Sequence, residues 1–144
     1  MDTKKNTQYS ANIAFASRTL TGKEKVMMKD TTNALSLDNL TQPNPIKDEA
    51  GNVVRMEPTS VVIDPDFYVV LEVHNEKAKD KDYKKYIIVD KSGKKYITGS
   101  ESLIRSFVDI MEEMDGEDEE FSIEVYRMPS KNYQGRDFLT CSIV

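Results

Sequence analysis

The chain has no tryptophan, one histidine and one cysteine. A single thiol, Cys141, excludes an intrachain disulfide and fits a reducing cytoplasm. It falls in a strand pattern and is expected as a small core residue. His74 alone leaves a histidine-based triad nothing else to build on. One histidine and one cysteine do not make a transition-metal site. No apolar run approaches the roughly 18 residues of a membrane span. Met1–Ser10 lacks the apolar stretch of a signal peptide. There is no glycine-rich phosphate loop of the Walker kind. No serine or cysteine lies in a nucleophile-elbow pattern, and Gly99-Ser100-Glu101-Ser102 reads as a helix start. The acidic residues near Asp115 lack the spacing of a calcium loop. These absences point away from an enzyme and from any cofactor.

What is there is a chain of 144 residues, 38% hydrophobic and 31% charged. That suffices for one domain with a real core and little more. Net charge is −5, which argues mildly against nucleic acid. The charge is unevenly spread, however. Lys77–Lys95 carries eight lysines against three aspartates, and Glu101–Glu120 carries nine acids against Arg105. A segregated pattern of this kind can place a basic patch on an acidic protein.

Element order gives the fold. Phe67–His74, Tyr83–Asp90 and Lys94–Thr98 read as strands. Phe67, Val69, Leu71 and Val73 alternate with Tyr68, Val70, Glu72 and His74, the period of a half-buried strand. Asp90-Lys91-Ser92-Gly93 reads as a tight turn. Glu101–Met114 reads as a helix, capped by Ser100, with Leu103, Ile104, Phe107, Val108, Met111 and Met114 on one apolar stripe. Asp115-Gly116 ends it. Phe121–Met128 and Arg136–Ile143 are the last strands. The order β-β-β-α-β-β predicts a mainly β fold with one α-helix, a five-stranded OB-like barrel plugged by that helix. Val26–Lys29 and Ala34–Leu37, around Asp30–Asn33, predict an added N-terminal β-hairpin. Residues 1–24 are expected as a flexible arm or edge strand, and 25–144 as one domain.

Binding is better supported than catalysis. Tyr86 and Tyr96 are expected on an exposed face of paired strands, flanked by lysines 84, 85, 94 and 95. Tyr126 and Phe138 are candidates on the last two strands, flanked by Arg127, Lys131 and Arg136. Exposed aromatics take bases and cations track phosphates, the combination a single strand needs. Tyr133, at the tip of the last hairpin, is expected to serve the site, since a loop-tip aromatic is not core. The predicted contact set is Tyr86, Tyr96, Arg127, Lys131, Tyr133, Arg136 and Phe138.

Lys131-Asn-Tyr-Gln-Gly-Arg-Asp-Phe-Leu-Thr140 in the final hairpin, with the strand order before it, resembles the small OB-fold single-stranded DNA-binding proteins of phages and mobile elements. The resemblance covers about Phe67–Val144. It implies sequence-tolerant binding of single-stranded DNA, or RNA, in replication or recombination, usually as a homo-oligomer. The chain departs from that family in lacking tryptophan and a flexible acidic tail. The alternative is a protein-interaction or inhibitor module. In it the acidic segment Asp115–Glu120 mimics phosphates and faces a basic protein partner. A structural subunit of a phage or plasmid assembly is a third reading.

Overall fold

The computed structural model describes residues 9–130 and 136–144. Lys131 and Tyr133 lie outside the described residues. In chain order the elements are β1 (Tyr9–Ala16), α1 (Gly22–Lys29), β2 (Leu35–Ser36), α2 (Leu37–Leu40), β3 (Asn44–Lys47), β4 (Val53–Glu57), β5 (Val61–Ile63), β6 (Pro65–Asn75), β7 (Asp82–Asp90), β8 (Lys95–Thr98), α3 (Glu101–Met114), β9 (Ile123–Pro129) and β10 (Asp137–Ile143). The fold is mainly β with one main helix. The chain divides into two compact units: Met1–Leu35 with Pro65–Gly99, and Ser36–Asp64 with Ser100–Val144.

The first unit is an antiparallel sheet in the order β1-β6-β7-β8, with the short strand that contains Leu35 at the far edge. Its length comes from β6, whose alternation is the one the sequence predicts. Phe67, Val69, Leu71 and Val73 point to one face and join Ile87, Val89, Leu20 and Met28 in a buried cluster. Each such side chain contributes about 1.5–3 kcal/mol by leaving water. The centre of the opposite face is buried too, through Tyr68, Tyr86, Ile88 and Tyr96. The β7–β8 turn is held by Asp90, whose Oδ1 accepts from the Ser92 and Lys94 amides, both at 2.9 Å. Gly93 supplies the positive φ of 92° that this turn requires.

Val26–Lys29 correct the sequence reading. They are the second half of α1, not the first strand of a hairpin. A capping box starts the helix. Thr21 Oγ1 accepts from the Glu24 amide at 3.1 Å, and Glu24 Oε1 accepts from the Thr21 amide at 2.9 Å. Lys95 Nζ donates to the Met27 and Asp30 carbonyls at 2.8 and 2.5 Å and satisfies the other end. Asp30 does make the expected turn, accepting from the Thr32 amide at 3.1 Å. It ends a helix there instead of joining two strands.

The second unit holds a three-stranded sheet, β10-β9-β5, and the separate hairpin β3–β4. Helix α3 starts and ends where the sequence places it. Ser100 Oγ accepts from the Leu103 amide at 3.2 Å, and Gly116 follows with φ 81°. Leu103 and Phe107 are fully buried, while Glu112 and Glu113 are exposed. The helix is fixed to β10 by Ser102 Oγ donating to the Leu139 carbonyl at 2.7 Å and by a 3.0 Å bond between Ser106 Oγ and Thr140 Oγ1.

The strands do not close into a barrel. The edge positions are taken by other pairings. β6 pairs with β1 as well as with β7. β9 finds its second partner in β5, with Val61 opposite Val125 and Ile63 opposite Ile123. The expected element order is present, but its strands are divided between separate sheets.

Candidate nucleic-acid interface

The last hairpin is built by the register of β9 and β10. Ile143 faces Ile123, Cys141 faces Val125 and Leu139 faces Arg127. Period two then separates two faces. Ile123, Val125, Leu139 and Cys141 are buried on one. Burial pushes the Cys141 thiol up to about 11, so it behaves as a core side chain. The other face carries Glu124, Tyr126 and Met128 opposite Ser142, Thr140 and Phe138.

That second face is the candidate contact surface. Phe138 is 38% exposed and Met128, directly opposite, is 42% exposed. Tyr126 is half-buried and its hydroxyl lies 2.7 Å from Ser142 Oγ. Glu124 accepts from Ser60 Oγ at 2.7 Å. The pairing sets Tyr126 opposite Thr140, so Phe138 is its diagonal neighbour, within reach of an aromatic side chain. Arg136 is exposed where β10 begins.

Arg127 is held differently. It lies on the face with Leu139 and is committed to the protein. Nε donates to the Thr41 carbonyl at 3.2 Å and Nη2 to the Asp38 carbonyl at 2.9 Å. Nη1 donates to Asp137 Oδ1 at 3.0 Å. The guanidinium therefore caps the last turn around α2, supplying the Thr41 carbonyl with a donor and adding to the bond the Asp38 carbonyl accepts from Gln42 Nε2 at 3.2 Å. It also lies between two clefts. One, of about 330 Å³, is lined by Thr41, Pro43, Pro58, Glu124 and Tyr126. The other is lined by Ser100, Ser102, Asp137 and Phe138. Arg127 borders both with its donors already engaged.

The first unit does not offer the aromatic face expected of it. Tyr86 and Tyr96 are buried, 7% and 6% exposed. Tyr86 stands opposite Thr98 and Tyr96 opposite Ile88. Their rings serve the interior of the sheet, so the exposed placement of Tyr86 and Tyr96 is corrected. Lys84 remains exposed beside them.

Two charged groupings were not anticipated from the sequence. Arg18 lies over the Phe67 ring at 3.9 Å and grips Glu24 with two bonds of 3.1 and 2.8 Å. That hydrogen bond, with the one from the Thr21 backbone, holds the Glu24 carboxyl down at about 2. The signal that was readable is Thr21-x-x-Glu24 itself. His74 sits between two carboxylates, Nδ1 2.7 Å from Asp82 and Nε2 3.1 Å from Glu76. The Asp82 hydrogen bond raises its pKa. Among the described residues no group of three or more His, Cys, Asp or Glu side chains is placed to hold a metal ion. Among the described residues no helix is long and apolar enough to cross a membrane.

No protein-family model, no curated protein and no solved structure matches the chain.

Proposed function

We propose that this chain is a non-enzymatic binding protein for single-stranded nucleic acid, DNA in the first place, acting in replication or recombination in a cytoplasmic setting. The observation that carries the reading is the exposed Phe138 end of the second β9–β10 face, beyond Thr140, whose hydroxyl is bonded to Ser106 of α3. Phe138 and Met128 are exposed there as a cross-strand pair, Tyr126 is on the same face, and Arg136 is exposed beside them. A flat ring gives a base a stacking surface, and a neighbouring cation meets the phosphate. Phe138 is the stacking residue and Arg136 the phosphate contact, and Lys131 and Tyr133, which fall between the two strands in sequence, belong to the proposed contact set. Arg127 acts as a brace, tying β9 to Asp137 and to the Asp38 and Thr41 carbonyls. The OB-like likeness enters only as an element order, strands then helix then strands.

The test is fluorescence anisotropy with labelled poly-dT, duplex DNA and single-stranded RNA at two salt concentrations. Preferential binding of poly-dT that weakens as salt rises is expected, because neutralised phosphates release counterions. Absence of affinity for any single strand at low salt, where screening is least, overturns the reading.

A second reading has its own observation. Glu112, Glu113, Asp115 and the whole run Glu117–Glu120 are exposed. A surface of one sign steers a partner of the other, and here the partner is a basic protein. Binding to a basic protein with no affinity for single strands selects this reading.

A further inference from the structure

The hairpin β3–β4 is a two-stranded sheet by itself. Every residue of β4 is exposed, with Val53 at 55%, Val54 at 59% and Met56 at 54%. A lone hairpin is marginal in water, and a third strand is what makes such a sheet stable. An exposed apolar edge is also a template for another strand, which natural proteins usually blunt. The two edges of this hairpin differ in that respect. β3 contains Pro45, which has no N–H to give a further strand. β4 contains no proline until Pro58 closes the ladder after Glu57, and among the described residues β3 is its one ladder partner.

We propose that the open edge of β4 pairs antiparallel with β4 of a second copy of this chain, centred on Met56. Charge selects this occupant and this register. Period two puts Val53, Arg55 and Glu57 on one face of β4 and Val54 and Met56 on the other. A twofold axis through the sheet keeps like faces together, so the register must be centred on a residue. Centred on Met56, it sets Arg55 of each copy opposite Glu57 of the other. One contact then makes two opposite-charge cross-strand pairs, which stabilise a ladder. Centred on Arg55, the two guanidinium groups oppose each other, which is unfavourable. Centred on Val54, Arg55 faces Val53 and gains no charge partner. The contact is isologous, as a closed dimer requires. It turns two marginal hairpins into one four-stranded sheet, β3-β4-β4-β3.

The full chain is to be studied by sedimentation velocity at the highest soluble concentration. A dimer is expected. Glu57→Arg alone or Arg55→Glu alone sets like charges opposite each other and should return it to monomer. The double variant Arg55→Glu/Glu57→Arg reverses both partners and should restore the dimer. These side chains are exposed, so circular dichroism should be unchanged in all three. Met56→Cys tests the register separately. Oxidised chains should cross-link at the axis, since opposed strand residues lie within disulfide reach and Cys141 is buried. A monomeric wild type overturns the proposal. So does a dimer indifferent to Glu57→Arg, a folded double variant that stays monomeric, or cross-linking of Arg55→Cys in place of Met56→Cys.

Discussion

Arg127 reaches diagonally across the β9–β10 ladder to Asp137, Nη1 to Oδ1 at 3.0 Å, while Leu139 occupies the position directly opposite it. The same guanidinium holds the Asp38 and Thr41 carbonyls. It thus joins the base of the last hairpin to the turn at α2. Replacing it with alanine removes a donor from both carbonyls. Arg127→Ala should destabilise by roughly 1–3 kcal/mol, the cost of stripping the part-buried Thr41 carbonyl of its donor while the Asp38 carbonyl keeps Gln42 Nε2 at 3.2 Å. Asp137→Asn, at a pair open to water, should cost under about 1 kcal/mol. Urea unfolding of both variants checks the order, and equal losses would show that the carbonyl bonds carry nothing.

The helix faces give a second comparison. Leu103→Ala or Phe107→Ala should destabilise by roughly 2–5 kcal/mol, since both side chains are fully buried. Glu112→Ala and Glu113→Ala should stay within about half a kcal/mol. Thermal and urea unfolding of the four variants measures this.

The start of α1 should be sensitive at one position. Thr21→Ala breaks the capping box and should cost roughly 0.5–2 kcal/mol. Thr21→Asn, which keeps an acceptor at the cap, should recover most of it. Equal stability of the alanine variant would mean that Glu24 alone holds the first turn.

Two of the shifted groups contribute to the pH dependence with opposite signs. His74 is raised above its ordinary 6.5, chiefly by Asp82. Its contribution is fully present below about 6.5 and is lost as pH rises through the folded-state value. Glu24 is lowered from 4.5 to about 2, chiefly by Arg18. Its contribution is present above the ordinary carboxyl range and is lost as pH falls from about 4.5 toward 2. NMR titration of the His74 ring should give a midpoint above 6.5. In His74→Gln the alkaline part of the stability profile should flatten and the acid part should not.

At the proposed interface the aromatics should separate. Phe138→Ala should weaken poly-dT binding by roughly 1–3 kcal/mol if the ring stacks. Arg136→Ala should flatten the salt slope by about one contact. Tyr96→Phe, at a buried ring, should leave affinity unchanged. Loss of binding in Tyr96→Phe with retained folding would return the site to the first unit.

Much of the fold was legible because period and punctuation agreed. β6 shows its alternation from Phe67 to Val73, and Ser100, the apolar stripe and Gly116 mark both ends of α3. Val26–Lys29 reads as a strand because Asp30–Asn33 has hairpin-turn chemistry, while the helix signal, Thr21 with Glu24, lies just upstream. Tyr86 and Tyr96 were misplaced because tyrosine suits either side of a sheet and alternation does not say which faces are covered. The distribution of strands among sheets was not readable at all. It depends on three-residue β5 and on β1, whose pairings are long-range and leave no local pattern. Phe138 is exposed on β10, the strand expected to carry it, whereas the commitment of Arg127 leaves no sign in the sequence, since its partners are backbone carbonyls far away along the chain.

The two compact units share one thread that passes between them three times, after Leu35, after Asp64 and after Gly99. Neither unit is therefore a contiguous stretch of sequence. No single truncation yields one without severing the other, and a fragment ending at Gly99 strands Ser36–Asp64 without the helix and hairpin that complete its unit. Deletion mapping of a binding activity would thus mislead, because no terminal cut isolates either unit by itself. Synthesis has the same consequence. The second unit cannot finish folding until the C-terminal strand has left the ribosome, whereas the first has its whole sequence available once Gly99 is out.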